Sequence, residues 1–265
     1  DDLAYSLDPV LWCREVLGFS PDPWQVDLLR SRSRKIILNC SRQSGKSTTC
    51  AALGLHESIY RRPSFGLVIA PSQDQSSELM MKFDEFRGAV ELPSDYLSTD
   101  TKLAVRFANG NRFVARPGSE KTARSFSAVT LLLEDEAARV LDDLYNAVRP
   151  MLAVSNGRHI LMSTPFGKRG HFHKIWSEER DLWESYEIPA EMCPRITPEF
   201  LAGERRSNPG PGVILPVNDS ARKRFKLSKS LSFACTTRND LGLSEALTKG
   251  SRFSLTRFHA DLGIL

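Results

Sequence analysis

"LNCSRQSGKSTT", Leu38 to Thr49, closes an apolar run and opens a different pattern. Its second half, Gly45-Lys46-Ser47, matches the end of a phosphate-binding loop, G-x-x-x-x-G-K-[ST]. Counting back, the first glycine of that pattern falls on Cys40, with Ser41 and Arg42 after it. The loop is either a degraded motif or a variant whose arginine has a role. Its setting favours a working loop. "KIILNC" (35–40) reads as a short buried strand and "KSTTCAALGLHESIY" (46–60) as a helix, the strand–loop–helix order such loops require. In that setting backbone N–H groups and the helix dipole hold the β- and γ-phosphates. Lys46 would neutralise phosphate charge, and Ser47 would ligate Mg²⁺.

Further strands follow. "FGLVIAP" (65–71) is a second buried run, followed by the helical stretch "DQSSELMMKFDEF". "LAVRFANGNRFVA" (103–115) alternates on both sides of Asn109-Gly110 and predicts a β-hairpin. "VTLLLEDEAA" (129–138) is a strand ending in acids, and "RHILMSTP" (158–165) is a strand stopped by proline. Continuous apolar strands separated by helices imply a mainly parallel sheet covered on both faces.

The acids at the end of the third run carry chemistry. A buried strand that delivers one carboxylate to a Mg²⁺ shell and the next to an attacking water is the Walker B arrangement. Asp135 takes the metal role and Glu136 the base. Glu134 stands where such a strand is normally apolar, so a solvated strand end made of three acids is the competing reading. Ser163, Thr164 and Pro165 end the next strand, and ligands of open parallel sheets sit beyond strand C-termini. Small hydroxyl residues there could sense a γ-phosphate.

With 41% hydrophobic and 26% charged residues, the chain has an ordinary globular composition. Its 265 residues suffice for one α/β domain and an appendage. No apolar run approaches the roughly 20 residues of a membrane span. The start, "DDLAYSLDP", does not resemble a signal peptide, and the missing initiator Met is consistent with a fragment. Five scattered cysteines, with no C-x-x-C, suggest reduced thiols in a cytoplasm-like compartment. His171 and His173, with no Cys or third His nearby, read as surface or packing residues rather than metal ligands.

Charge is uneven. Residues 1–207 hold 27 lysines and arginines against 28 acids, whereas residues 208–265 hold nine against four. Any DNA contact by the body is therefore a local patch. The tail after "SNPGPG" (207–212) has no clean period and is expected to be poorly structured. Its Arg222, Lys223, Arg224 and Lys226 fit either phosphate binding or a solvated charge run.

"SRQSGKST", "LLLEDEAA" and "LMSTPFGKRGHFHKIW" together resemble the ATPase domain of the large terminase subunit of tailed bacteriophages, the motor that packages DNA. In that family Gly or Ser commonly stands directly before an Arg-Gln pair, as Ser41 does before Arg42 and Gln43. The resemblance spans roughly Leu11 to Arg206 and implies an α/β P-loop NTPase of the additional-strand catalytic-glutamate type. It implies that Ser41, Arg42, Gln43, Ser44, Gly45, Lys46, Ser47 and Thr48 hold ATP, with Arg42 at the phosphates. "PDPWQ" (21–25) makes Gln25 the adenine reader, and "TARSFSAV" (122–129) makes Arg124 a trans-acting arginine, although Ser125 replaces the usual glycine. "STPFG" resembles the coupling motif, and "ITPEFLAGERRS" the helix before the linker to a nuclease domain. Residues 208–265, with only Asp219, Asp240, Glu245 and Asp261, are expected to lack that nuclease.

The partners so implied are double-stranded DNA, a capsid portal, a small terminase subunit and a homo-oligomeric ring. The implied location is the cytoplasm of the infected bacterial host, with no membrane. Two other readings stay open here: a superfamily-2 helicase fragment, and a non-catalytic nucleotide-binding module.

Overall fold

The computed structural model describes residues 1–93, 95–117 and 126–207. Three helices, α1 (Asp2–Leu7), α2 (Pro9–Glu15) and α3 (Pro23–Arg30), precede the first strand, β1 (Lys35–Cys40). The chain then alternates through α4 (Lys46–Tyr60), β2 (Phe65–Ala70) and α5 (Gln73–Ala89). A meander of β3 (Leu97–Thr101), β4 (Ala104–Phe107) and β5 (Arg112–Pro117) follows. Next come β6 (Leu131–Asp135), α6 (Asp142–Val148), β7 (Arg158–Ser163), α7 (Gly170–Glu178), β8 (Glu184–Ile188) and α8 (Pro198–Ser207).

The eight described strands form one sheet in the order β3-β4-β5-β2-β6-β7-β1-β8. Strands β5-β2-β6-β7-β1-β8 run parallel, while β3 and β4 add antiparallel pairs at one edge. β7 stands between the strand before the glycine loop and the strand that ends in acids, the additional strand that the family resemblance implies.

Buried-type strands form here because both faces are covered. Every residue of β2, β6 and β7 is buried, so no in/out alternation shows in the sequence. The pleat nevertheless sorts the side chains. Ile36, Leu38, Val68, Leu131, Leu133, Ile160 and Met162 enter a core with α2 to α5. Leu67, Ile69 and Leu132 pack with α6, and Ile37 and Leu161 with α7. Helix α4 has eleven of its 15 residues buried, which makes it a core helix rather than an amphipathic surface one.

The expected hairpin is β4–β5, turning at Asn109 and Gly110, whose φ of 85° suits glycine. Buried Asn111 ties it to the body. Its side chain donates to the carbonyls of Ser58 and Arg61 at the end of α4 and accepts from the Ser64 N–H. No sequence pattern predicts strands β3 and β8. Both sit at sheet edges and carry polar, partly exposed residues, so no buried run marks them. The residues expected to form a poorly structured tail lie outside the described residues.

Where α4 crosses β2, glycines bring the backbone against one ring. A Cβ at Gly54 would meet Phe113 at 2.4 Å, and one at Gly66 would meet it at 2.3 Å. Phe113 cannot yield, being fully buried and stacked on Phe83 with centroids 4.3 Å apart. Gly66→Ala should therefore destabilise the fold by about 1–3 kcal/mol through overpacking. Urea unfolding of the variant with an unchanged midpoint would contradict this packing.

Candidate nucleotide site

The glycine loop leaves β1 at the carboxyl edge of the sheet, the side where parallel sheets place ligands. Edge strand β8 pins its start, because the Ser41 N–H donates to the Ile188 carbonyl at 2.8 Å. Gln43 (φ 61°) and Gly45 (φ 89°) turn the loop into α4, with Gly45 at the N-cap. Gly45 is required for space as well as for φ. A Cβ there would lie 2.7 Å from Gln25 Nε2 and 3.1 Å from Arg195 Nη2.

Opposite the loop, β6 delivers its acids. Asp135 is buried, and its Oδ2 accepts from Ser47 Oγ at 3.3 Å while Oδ1 accepts from the Glu136 N–H at 2.9 Å. Glu136 adopts left-handed φ/ψ of 49° and 41°, a backbone state that costs a non-glycine residue about 1–3 kcal/mol. Its carboxylate meets Lys46 Nζ at 3.0 Å. Burial raises the Asp135 pKa, and the Lys46 charge only partly opposes it. Burial pulls Lys46 down, but Asp135 and then Glu136 outweigh it and leave the ammonium above its ordinary value.

Lys46, Ser47 and Glu136 border a cavity of about 860 Å³. Its walls are Arg42 to Thr48, Gln75 and Lys82 from α5, Glu136 and Arg139, the 164–167 loop and Arg195. The Ser44 and Thr164 hydroxyls are buried without a hydrogen-bond partner among the described residues. Of Ser163, Thr164 and Pro165 at the end of β7, Thr164 and Pro165 reach the wall. Ser163 lies beneath them, accepting from the Ala138 N–H at 3.1 Å and donating to the Thr164 carbonyl. Gln25 is buried, its Oε1 capping α3 through the Asp22 N–H at 2.7 Å. Arg124 lies outside the described residues.

Glu134 does something the sequence did not suggest. The pleat that turns Asp135 toward α4 turns Glu134 into the opposite layer. There Oε1 meets His171 Nε2 at 2.6 Å and Oε2 meets His159 Nε2 at 3.2 Å. His171 Nδ1 in turn lies 3.1 Å from Asp142 Oδ1, and its ring stacks on Tyr145 at 4.2 Å. The reading of three acids as a solvated strand end is thereby replaced: Glu134 is 1% and Asp135 6% exposed. His171 is a packing residue, as expected, but with a charged partner.

Sequence reasoning also missed Arg139, Lys82 and Arg195 as cavity groups. Arg139 stands three residues after Glu136, which was a usable signal. Arg195 carried none: it comes from the segment after β8 and reaches the Ser44 carbonyl at 3.0 Å and Asp22 at 2.8 Å.

A glycine-bearing loop between β1 and α4, facing a buried aspartate and a following glutamate across an inserted strand, defines a P-loop NTPase of the additional-strand type. The comparisons with known proteins narrow this. A family model, "Terminase large subunit, T4likevirus-type, N-terminal", matches residues 37–234. The chain belongs to the family of phage terminase large subunits and matches its N-terminal part. It is similar to the terminase large subunit of Thermus phage G20c, 27% identical over 174 residues, covering 58% of this chain and 35% of that one. Its fold is similar to the large terminase ATPase domain of Thermus phage P74-26, with a TM-score of 0.66 at 21% identity, covering 77% and 94% of the two chains. The large terminase of another thermophilic bacteriophage, solved in complex with ADP, gives a TM-score of 0.51 at 12% identity, covering 77% and 50%. The chain thus spans about a third of the length of the curated relatives it matches.

Buried Glu134 and its two histidines predict a pH dependence. Burial alone would raise Glu134, but hydrogen bonds from His159 and His171 hold it below its ordinary value. Burial would lower His171, but the Glu134 hydrogen bond and charge carry it above. The raised histidine stabilises fully below its unfolded pKa of about 6.5, and that contribution is lost as pH rises through the folded value. The lowered glutamate contributes above about pH 4.3 and is lost as pH falls through its folded value. Glu134→Gln should therefore cost about 3 kcal/mol near pH 6, and less as pH rises toward 9. A stability difference that stays constant from pH 6 to 9 in urea unfolding would refute the charged pair.

Proposed function

We infer that the cavity binds ATP with Mg²⁺, and that its hydrolysis drives double-stranded viral DNA into a procapsid. The observation that carries this is the meeting of Lys46, Ser47 and Glu136, from two distant segments, at one cavity, with buried Asp135 behind Ser47. Membership of the terminase large-subunit family supports it, as does the solved thermophilic-phage relative with bound ADP. The partnerless Ser44 and Thr164 hydroxyls suit phosphate oxygens.

The donor set fits magnesium. Ser47 Oγ and the Asp135 carboxylate are hard oxygen groups already side by side, and they are the pair that would hold it. Bound there, the ion would neutralise phosphate charge. The chain's own groups divide the remaining work. Lys46 exchanges its Glu136 partner for phosphate oxygens, with the loop amides from Ser41 to Thr48 around it. Glu136, released from the lysine, accepts the proton of the attacking water. Arg42 serves the nucleotide of its own chain, and Gln25 the adenine beside Gly45. Ser163, Thr164 and Pro165 form the coupling segment. Arg124 acts on the site of a neighbouring subunit in a homo-oligomeric ring.

The same reading takes a capsid portal and a small terminase subunit as partners and the infected host's cytoplasm as the location. Residues 1–207 form the ATPase domain and 208–265 a basic tail. Among the described residues no helix is long and apolar enough to cross a membrane.

An ATPase assay with and without portal and DNA tests the whole reading. Lys46→Ala should abolish ATP binding. Glu136→Gln should bind ATP normally while turnover falls by about 10²–10⁴. Normal hydrolysis by Glu136→Gln, together with none by Glu134→Gln, would reverse the two carboxylate roles.

Arg124 gives a separate test. An Arg124→Ala subunit keeps a sound nucleotide site, and a Glu136→Gln subunit keeps a sound arginine. Mixing the two inactive variants under assembling conditions should restore part of the turnover. A fully active dilute monomer, or no recovery in any mixture, would remove the trans role.

A further inference from the structure

Arg139 is the last residue of the 3₁₀ turn Ala137–Arg139, which follows Glu136 directly. It is distinct from Arg124, which precedes β6 in the sequence. Its side chain is exposed at the wall of the cavity that Lys46 and Glu136 also line. No described carboxylate lies within ion-pair distance of its guanidinium. Instead the guanidinium carbon rests 4.1 Å from the ring centroid of Phe166, and that of Arg169 lies 4.8 Å from the same ring. Phe166 sits in the irregular stretch between β7 and α7, the stretch that begins with the coupling residues. One aromatic ring is thus shared by two cations, one rooted beside the catalytic-position glutamate and one at the start of α7.

The Arg139–Phe166 contact is the kind a phosphate displaces. A guanidinium over an exposed ring is held by the ring's quadrupole alone, whereas phosphate oxygens offer charge-assisted, bidentate hydrogen bonds. Behind it the two segments are already tied, because the Ala138 N–H donates to Ser163 Oγ. A shift of Arg139 can therefore reach the 164–169 stretch without remodelling the sheet.

We propose that Arg139 is a terminal-phosphate sensor. With a nucleoside triphosphate in the cavity its guanidinium leaves Phe166 for the terminal phosphate, and the released ring frees the 164–169 loop, while a diphosphate leaves the stack in place. This rests on the cavity being a nucleotide site.

The test compares ATPγS with ADP, each with Mg²⁺, on the full 265-residue chain. Arg139→Ala should weaken ATPγS binding about tenfold or more and leave ADP binding unchanged. Arg139→Lys, which keeps a cation, should recover part of the loss. In a Phe166→Trp background, indole emission corrected for the four native tryptophans should respond to ATPγS and not to ADP. Adding Arg139→Ala should abolish that response. Equal weakening of both nucleotides, no weakening of either, or a response that survives Arg139→Ala would overturn the sensor while leaving the nucleotide site standing. Absence of any nucleotide binding by the unmodified chain would overturn both.

Discussion

The pleat of β6 sends two neighbouring carboxylates into opposite layers, and most of the site follows from that constraint. Asp135 enters the layer of α4, where Ser47 waits at 3.3 Å. Glu134 enters the layer of α6 and α7, where two histidines lie within hydrogen-bond distance of it. In a continuous strand the two cannot both face the cavity, since successive side chains alternate. Glu136 escapes the alternation only because the strand has ended and its backbone has turned left-handed. That strained turn brings its carboxylate back beside Lys46.

The glycine loop is held from three sides. β8 fixes its first amide, Arg195 grips the Ser44 carbonyl, and Gln25 packs over Gly45. Within it Lys46 is already charged and already paired, so nucleotide binding becomes an exchange of counter-ions rather than the desolvation of a free ammonium. Such an exchange limits the cost of bringing a highly charged ligand into a partly buried site.

The segment after β6 and the segment after β7 behave as one body. Ser163 receives the Ala138 amide, Arg139 covers Phe166, and Glu134 with Asp142 brackets His171 at the start of α7. Two of these ties are polar and at least partly buried, and the third is an exposed stack. The weak tie is the one at the cavity wall, where a change of ligand can act. Glu134, out of place for an apolar strand, is thus a structural fastener between layers.

Local pattern alone determined the frame: the strand, loop and helix from Lys35 to Tyr60, the buried strands, the hairpin and the choice of Lys46, Ser47, Asp135 and Glu136 as residues that would meet. These are legible because phosphate loops and buried strands impose residue types at fixed short spacings. Edge strands β3 and β8 were not, since a polar strand has no signature until a neighbour pairs with it. Nor was the cluster around Glu134: its partners His159 and His171 stand 25 and 37 residues away in the chain, and Asp142, the second partner of His171, stands eight away. Arg195 meets Ser44 from 151 residues away. Only tertiary structure decided these contacts, because which side chains meet across a sheet depends on strand order and pleat. Neither is written in any single segment.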